Sequence, residues 1–283
     1  MGQDRNSGNK GDQLKHCLLA ETLGNCGDWS NITYAETHAG AGVYSQTKQE
    51  EEGATHIADL RADILSVGKL DPSSAGSRYT NLLEDWWQAE SNQKLYPGSV
   101  CQALLQTASM NENCGIEEVQ VRVTEACPHT HERLTEALAP FGYQARHDAF
   151  QHNLDWLTEN DDLFLLIDPF TYTTNRDALD IGHIDLETLS KFVSACLNKS
   201  RCIVGFWCAM GRKQPEGKTL QTQFNSELRQ LAERQDALFR YFSYGQYSIA
   251  WIGIAGGRPA IEQIPRKANW KRTWLEKVIK ESE

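Results

Sequence analysis

No stretch of the 283-residue chain approaches the roughly 18 consecutive apolar residues of a membrane-crossing helix. Nor does a basic segment precede a long apolar run near Met1, so no secretory leader is expected and the expected compartment is the cytoplasm. Met1-Gly2 opens like a myristoylation signal, but Asn6 stands where that signal wants Ser or Thr. Positive charge is short: 28 Lys and Arg against 38 Asp and Glu leave a net charge of -10. A broad, sequence-blind nucleic-acid binder is usually basic, so any nucleic-acid partner must be met by a local patch. CxxC pairs are absent although there are eight cysteines, and the spacing gives no disulfide framework. Buried thiols in a reducing compartment are expected instead. Internal repeats are absent too. What is present is ordinary globular material, 40% hydrophobic and 23% charged, enough for one large α/β domain or two small ones.

The organising stretch is Leu163–Tyr172, LFLLIDPFTY. Phe164 to Ile167 are large and apolar and run straight into Asp168 and Pro169, the pattern of a strand buried on both faces. Pro169 cannot donate to a ladder and forces the residue before it to extend, so the strand ends there. Asp168 is therefore expected at the carboxyl end of a central strand, where open α/β sheets place their ligands.

Around that strand, helical and strand patterns alternate. A helix is expected over Gln13–Leu23, capped by Asp12 and striped by Leu14, Cys17, Leu18 and Thr22. A strand over Asn31–Glu36 feeds the turn Thr37-His38-Ala39-Gly40-Ala41-Gly42. From Ser45 to about Pro97 only helical patterns are visible, one on Ile57, Leu60, Ile64 and Leu65, the other on Leu82, Leu83, Trp86 and Trp87. Residues 45–95 thus read as a helical insertion in a main domain of residues 1–44 and 96–283. Gly98-Ser99 then opens a helix, and strands are expected at Val119–Val123, Tyr143–Arg146 and Cys202–Trp207. Further helices are expected over Glu132–Leu138, after Asp185, and along Leu220, Phe224, Leu228 and Leu231. Leu238–Phe242 and Tyr247–Ile254 read as an antiparallel pair. The fold class is α/β, a Rossmann-like, mostly parallel sheet with an antiparallel edge.

Strand ends carry acids: Glu36 ahead of the Gly turn, Glu125 and Asp168, with Asp148 as a fourth. Acid and Gly turn, an acid at the next strand ends, then Asp-Pro-aromatic is how Rossmann-like methyltransferases hold S-adenosylmethionine. Gly40 and Gly42 let backbone approach the amino-acid tail, and the Glu125 carboxylate can take both ribose hydroxyls. Asp148 can accept from the adenine amine.

The ordered blocks Asn9–His16 (NKGDQLKH), Glu36–Tyr44 (ETHAGAGVY), Tyr96-Pro97-Gly98-Ser99, Thr124-Glu125 and Ile167-Asp168-Pro169 resemble the RlmJ family across nearly the whole chain. That resemblance implies a Rossmann-like, S-adenosylmethionine-dependent methyltransferase acting on the exocyclic amine of an adenine in large-subunit ribosomal RNA. It implies rRNA as the nucleic-acid partner, with DNA as the other candidate, and no metal. By the same resemblance His16, His38, Ser99, Glu125, Asp148 and Asp168 match cofactor-contacting positions, with Lys15 and Ala149 beside them, and Asp168 matches the catalytic one. The chain departs from the family in three places. The Tyr-Arg-His opening is Gln3-Asp4-Arg5-Asn6, Ala149 follows Asp148 where the family has Gly, and Asp-Pro-Pro-Tyr is Asp168-Pro169-Phe170-Thr171-Tyr172. Thr171 thus holds the place of the aromatic that stacks on a flipped-out base, leaving Phe170 and Tyr172 to take that role beside Asp168 and Pro169. These departures motivate an alternative, a protein that keeps the fold but serves as a cofactor- or nucleic-acid-binding module.

Other residues have plainer readings. Cys127-x-His129-x-His131 lacks a fourth metal ligand at a recognisable spacing and is expected to start a helix. Cys196, Cys202 and Cys208 fall on apolar faces and are expected in the core, as are Trp86 and Trp87. The basic and aromatic segment Arg266–Trp274 suits phosphate contact and base stacking, and equally an amphipathic helix packed by its tryptophans.

Overall fold

A computed structural model describes residues 8–45, 51–114, 116–169, 171–172, 183–196, 198–209, 215–244, 247–264 and 280–281. The chain opens with α1 (Lys10–Gly24), β1 (Asn31–Glu36) and β2 (Val43–Ser45). The helices α2 (Glu51–Val67) and α3 (Ser77–Gln88) follow, then β3 (Leu95–Pro97), α4 (Ser99–Cys114), β4 (Glu118–Val123) and α5 (Pro128–Leu138). The single turn α6 (Leu154–Leu157) leads into β5 (Asp162–Ile167), β6 (Thr171–Tyr172), β7 (His183–Ile184) and α7 (Leu186–Cys196). Last come β8 (Arg201–Ala209), α8 (Pro215–Arg234), β9 (Leu238–Tyr244), β10 (Tyr247–Ala255), α9 (Arg258–Glu262) and β11 (Lys280–Glu281).

One sheet runs in the order β4-β1-β5-β8-β10-β9-β11. The pairs β4–β1, β1–β5 and β5–β8 are parallel, and β10 inserts antiparallel between β8 and β9. This is the expected α/β, Rossmann-like, mostly parallel sheet, with β5 and β8 near its middle and the expected antiparallel pair toward one edge. The apolar run of β5 shows why that strand is central. Leu163, Leu165 and Ile167 face one core cluster and Phe164 and Leu166 the other, all five fully buried. Period-two side-chain alternation with helices on both faces demands apolar residues at every position. Burying each such side chain contributes about 1.5–3 kcal/mol. Helices α7 and α8 cover one face with Leu189, Phe192, Phe224 and Leu228, while α1, α3, α4 and α9 cover the other. The helical stretch after β2 shares that second core through Ile57, Leu60, Tyr79, Leu83 and Trp87. Among the described residues no helix is long and apolar enough to cross a membrane.

Three local expectations need correction. The α1 cap is Asn9, whose side chain accepts from the Gly11 and Asp12 amides at 2.7 and 3.1 Å, and not Asp12. Asp12 instead reaches back to the Gly8 amide at 3.0 Å, so the helix begins a turn's worth earlier. The segment from Ser45 to Pro97 is not purely helical, because Val43–Ser45 pairs antiparallel with Leu95–Pro97 and closes its base. The strand expected at Tyr143–Arg146 reduces to one bridge between Thr124 and Arg146. Arg146 makes that bridge through its backbone, donating to the Val123 carbonyl at 2.9 Å and accepting from the Glu125 amide at 3.1 Å, while its guanidinium lies 3.8 Å from the Trp156 ring centroid and bonds Asn153 at 2.9 Å.

Candidate functional site

The carboxyl ends of β1, β4 and β5 meet the amino-terminal part of α1. That helix is buried nearly all round, yet Gln13, Lys15 and His16 lie among its buried residues. Buried polar groups need partners, and those of Lys15 lie at the end of β5. Its ammonium donates to Asp168 Oδ2 at 2.6 Å and lies 3.4 Å from Asp12 Oδ1. Burial works against a lysine cation, but Asp168 and Asp12 outweigh it and raise the Lys15 pKa above its ordinary value. The same ammonium sits 5.6 Å from the ring centre of Trp207. Ile167 pairs with Phe206, so Trp207 is the next residue along β8, beside Asp168.

The ladder between β1 and β5 continues past Glu36 into the site. The Thr37 amide donates to the Leu166 carbonyl at 3.1 Å, and the Asp168 amide donates to Thr37 Oγ1 at 3.4 Å. Thr37 Oγ1 also lies 2.7 Å from Nδ1 of the buried His38, whose ring packs 4.5 Å from Phe150. Gly40 and Gly42 follow at φ +62° and +70°, in the left-handed region that glycine enters without cost. The turn is tied to β4: the Ala39 amide donates to the Thr124 carbonyl at 3.1 Å and the Gly40 amide to Glu125 Oε2 at 3.1 Å. Glu125 Oε1 takes the Cys127 amide at 2.9 Å. Burial raises the Glu125 pKa, against the pull of those two amides.

Glu36 is fully buried between two hydroxyls. Ser99 Oγ lies 2.5 Å from its Oε1 and Tyr34 Oη 2.7 Å from its Oε2. Burial first, and the Asp168 carboxylate second, push its pKa up to about 8, against Ser99, Lys15 and Tyr34. His16 stands in the opposite electrostatic condition. Burial and the neighbouring Lys15 hold its pKa well below the ordinary imidazole value, so the ring is neutral. Its Nδ1 lies 2.6 Å from Tyr96 Oη and 2.9 Å from Gln102 Nε2, two groups that can donate to it. A neutral ring accepting at Nδ1 carries its proton on Nε2, and Nε2 is buried without a hydrogen-bond partner.

Asp148 lies at the outer rim, 44% exposed, and accepts from the Ala149 amide, Asn153 Nδ2 and His152 Nδ1 at 2.7, 3.0 and 3.1 Å. Those bonds, His152 first, hold its carboxyl below the usual range. Ala149 has φ -71°, which needs no glycine, so its place in the sequence is conformationally neutral. Pro169 is buried after Asp168, and Tyr172 pairs through its backbone with Ile184. Phe170, residues 3–6 and Arg266–Trp274 lie outside the described residues.

Sequence reasoning named Glu36 as a strand-end acid without giving it a role, and passed over Thr37 and Trp207. The last of these was findable as the end of the strand next to β5. His129 is 80% exposed, His131 stacks on His147 at 4.9 Å, and among the described residues no three metal-ligating side chains cluster. Trp86 and Trp87 pack into the helical layer and both donate to the Leu95 carbonyl, at 3.2 and 2.7 Å. Cys196, Cys202 and Cys208 are buried, as expected.

No family model matches the chain, and no curated protein matches it. Among solved structures it is similar to a DUF519 protein from Legionella pneumophila, at 19% identity over 88% of this chain and 86% of that one, with a TM-score of 0.62. A putative rRNA-methylase from Clostridium thermocellum aligns at 9% identity over 52% of this chain and 81% of that one, TM-score 0.36. The small RNA methyltransferase HEN1 aligns at 10% identity over 85% of this chain and 26% of that one, TM-score 0.38. The Legionella likeness is one of fold.

Proposed function

We propose that the protein is an S-adenosylmethionine-dependent methyltransferase acting on the exocyclic amine of an adenine in RNA, ribosomal RNA before DNA. The observation that carries this reading is the pairing of Asp168 with Lys15 at 2.6 Å on the same sheet edge where Glu125 anchors the Gly40 turn at 3.1 Å. The residues present fit the cofactor. His16 Nε2 is a buried donor in want of an acceptor, which the carboxylate of an amino-acid tail supplies. In this reading Glu125 would take the ribose hydroxyls, Asp148 the adenine amine, and Ser99, His38, Gly40 and Gly42 would hold the tail.

When bound, S-adenosylmethionine supplies an electrophilic methyl group. The chain's task is the nucleophile. An adenine amine is a poor one because its lone pair is conjugated with the ring. A carboxylate accepts about four hydrogen bonds, so the Lys15 bond at Oδ2 leaves Asp168 capacity for an amine hydrogen. With the Pro169 carbonyl taking the second hydrogen, the lone pair is turned toward the methyl group. Lys15 fixes the carboxylate's orientation, and the Trp207 ring lies 5.6 Å from the ammonium. The base-stacking role falls by sequence to Phe170 or Tyr172, since Thr171 holds the family's aromatic position.

Incubation with methyl-labelled S-adenosylmethionine and total RNA or DNA tests this. Transfer by the wild type and none by Asp168→Ala supports the enzyme. Calorimetric binding of the cofactor with no transfer to any substrate overturns it in favour of a binding module.

A further inference from the structure

Glu36 is a buried acid that the methyl-transfer step leaves unused. We infer that Glu36 is a positioning residue that sets the hydrogen-bond polarity of Ser99, and that cofactor binding drives a proton off its carboxyl group; this rests on the cofactor reading above.

The geometry is a closed line of three groups, Tyr34–Glu36–Ser99, at 2.7 and 2.5 Å, with Tyr34 and Glu36 almost wholly shielded from water. Each hydroxyl has one hydrogen to give, while an ionised carboxylate only accepts. With Glu36 ionised, both hydroxyl hydrogens are committed to it, and Ser99 Oγ offers a ligand lone pairs alone. With Glu36 protonated, the acid must itself donate along the line, and Ser99 can turn its hydrogen outward. The amino-acid end of S-adenosylmethionine brings an ammonium, a pure donor, beside the carboxylate assigned above to His16, and with its sulfonium the ligand carries one net positive charge. Both fit the ionised state, the first by hydrogen-bond polarity and the second by charge.

Among the described residues, the charged and titratable groups that face Glu36 come from four elements. Tyr34 shares its strand, Ser99 and Cys101 belong to α4, Asp168 ends β5, and Lys15 comes from α1 with Asp12 behind it. Among the described residues one cation thus serves three carboxyl groups, and that deficit of positive charge is what an incoming cation relieves. Burial and Asp168 push the Glu36 carboxyl up to about 8, so the ligand-free site holds the proton at neutral pH. The balance is simple: the carboxylic acid gives its proton to the buffer as the cation enters, leaving a carboxylate that accepts from both Ser99 and Tyr34.

Titration calorimetry with S-adenosylmethionine in phosphate and in Tris, at a series of pH values, reads the proton directly. Near pH 7 the wild type should release close to one proton more per ligand than Glu36→Gln. Its affinity relative to that variant should rise about tenfold between pH 6 and 7. Tyr34→Phe removes one of the two donors, so its proton release should persist to higher pH than in the wild type. Should Glu36→Gln fail to fold, the shift between wild type and Tyr34→Phe carries the test. Binding with equal proton release in wild type, Glu36→Gln and Tyr34→Phe overturns the inference and leaves the cofactor reading standing. Absence of any binding by the folded wild type overturns both.

Discussion

Raising the pH should weaken the ligand-free protein through Glu36, and the size of the effect follows from its surroundings. In the unfolded chain a glutamate titrates near its ordinary value of about 4.3. In the folded protein burial and Asp168 push it up to about 8. Between those values the folded state holds a proton that the unfolded state has lost. Folding therefore binds a proton, and stability falls as pH rises until the folded value is passed. Across the whole window the shift is worth on the order of 5 kcal/mol, of which about 2 kcal/mol is lost between about pH 6.5 and 9. His16 contributes with the opposite sign, since its folded pKa is depressed: its share is present above the ordinary imidazole value and lost below it. Urea unfolding of wild type and Glu36→Gln across this range cancels His16 and leaves Glu36. The wild type should lose about 2 kcal/mol more than the variant, roughly 4–6 °C in Tm. Parallel curves for the two proteins would refute the assignment of a protonated Glu36.

Other substitutions test the surrounding parts. Lys15→Met strands the Asp168 and Asp12 carboxylates in a buried site and should cost about 3–5 kcal/mol in urea unfolding; a loss below about 1 kcal/mol would mean the pair is not shielded. Glu125→Ala takes the acceptor away from the Gly40 and Cys127 amides and should weaken cofactor binding at least about tenfold by calorimetry, an energy of about 1.4 kcal/mol. Unchanged affinity would remove Glu125 from the ribose. Gly205 pairs with Trp251, and a Cβ there would stand 2.4 Å from the indole ring. Gly205→Ala should therefore cost about 1–3 kcal/mol by overpacking, visible as a lowered Tm, and a neutral result would show that the ring can yield.

The legible parts of this fold were those where one local requirement dictates the residue. A strand buried on both faces leaves no position for a polar side chain, and Leu163–Ile167 obey that rule without exception. Two successive departures into positive φ demand Gly40 and Gly42, and the acids at the ends of neighbouring parallel strands mark the edge they share. Less legible were features that depend on a choice between near-equal local options. Asn9 and Asp12 are both good caps three residues apart, and Asp12 is engaged instead by the Gly8 amide and the Lys15 ammonium. The pairing of Val43–Ser45 with Leu95–Pro97 joins three-residue segments across some fifty residues of intervening chain, beyond any local pattern. At Tyr143–Arg146 the Tyr143 amide goes to the Leu138 carbonyl at the end of α5, and Arg146 alone pairs beside β4. The role of Glu36 was hidden because Ser99 reaches it from 63 positions away.

The central claim is that Asp168 presents an adenine amine for methylation, and nucleoside mass spectrometry tests it most directly. RNA incubated with the protein and S-adenosylmethionine, then digested to nucleosides, should contain N6-methyladenosine, and the Asp168→Asn variant should leave the adenosine unmodified. A methyl group found instead on a ribose hydroxyl or on a pyrimidine carbon, or N6-methyladenosine formed equally well by the variant, would contradict the account.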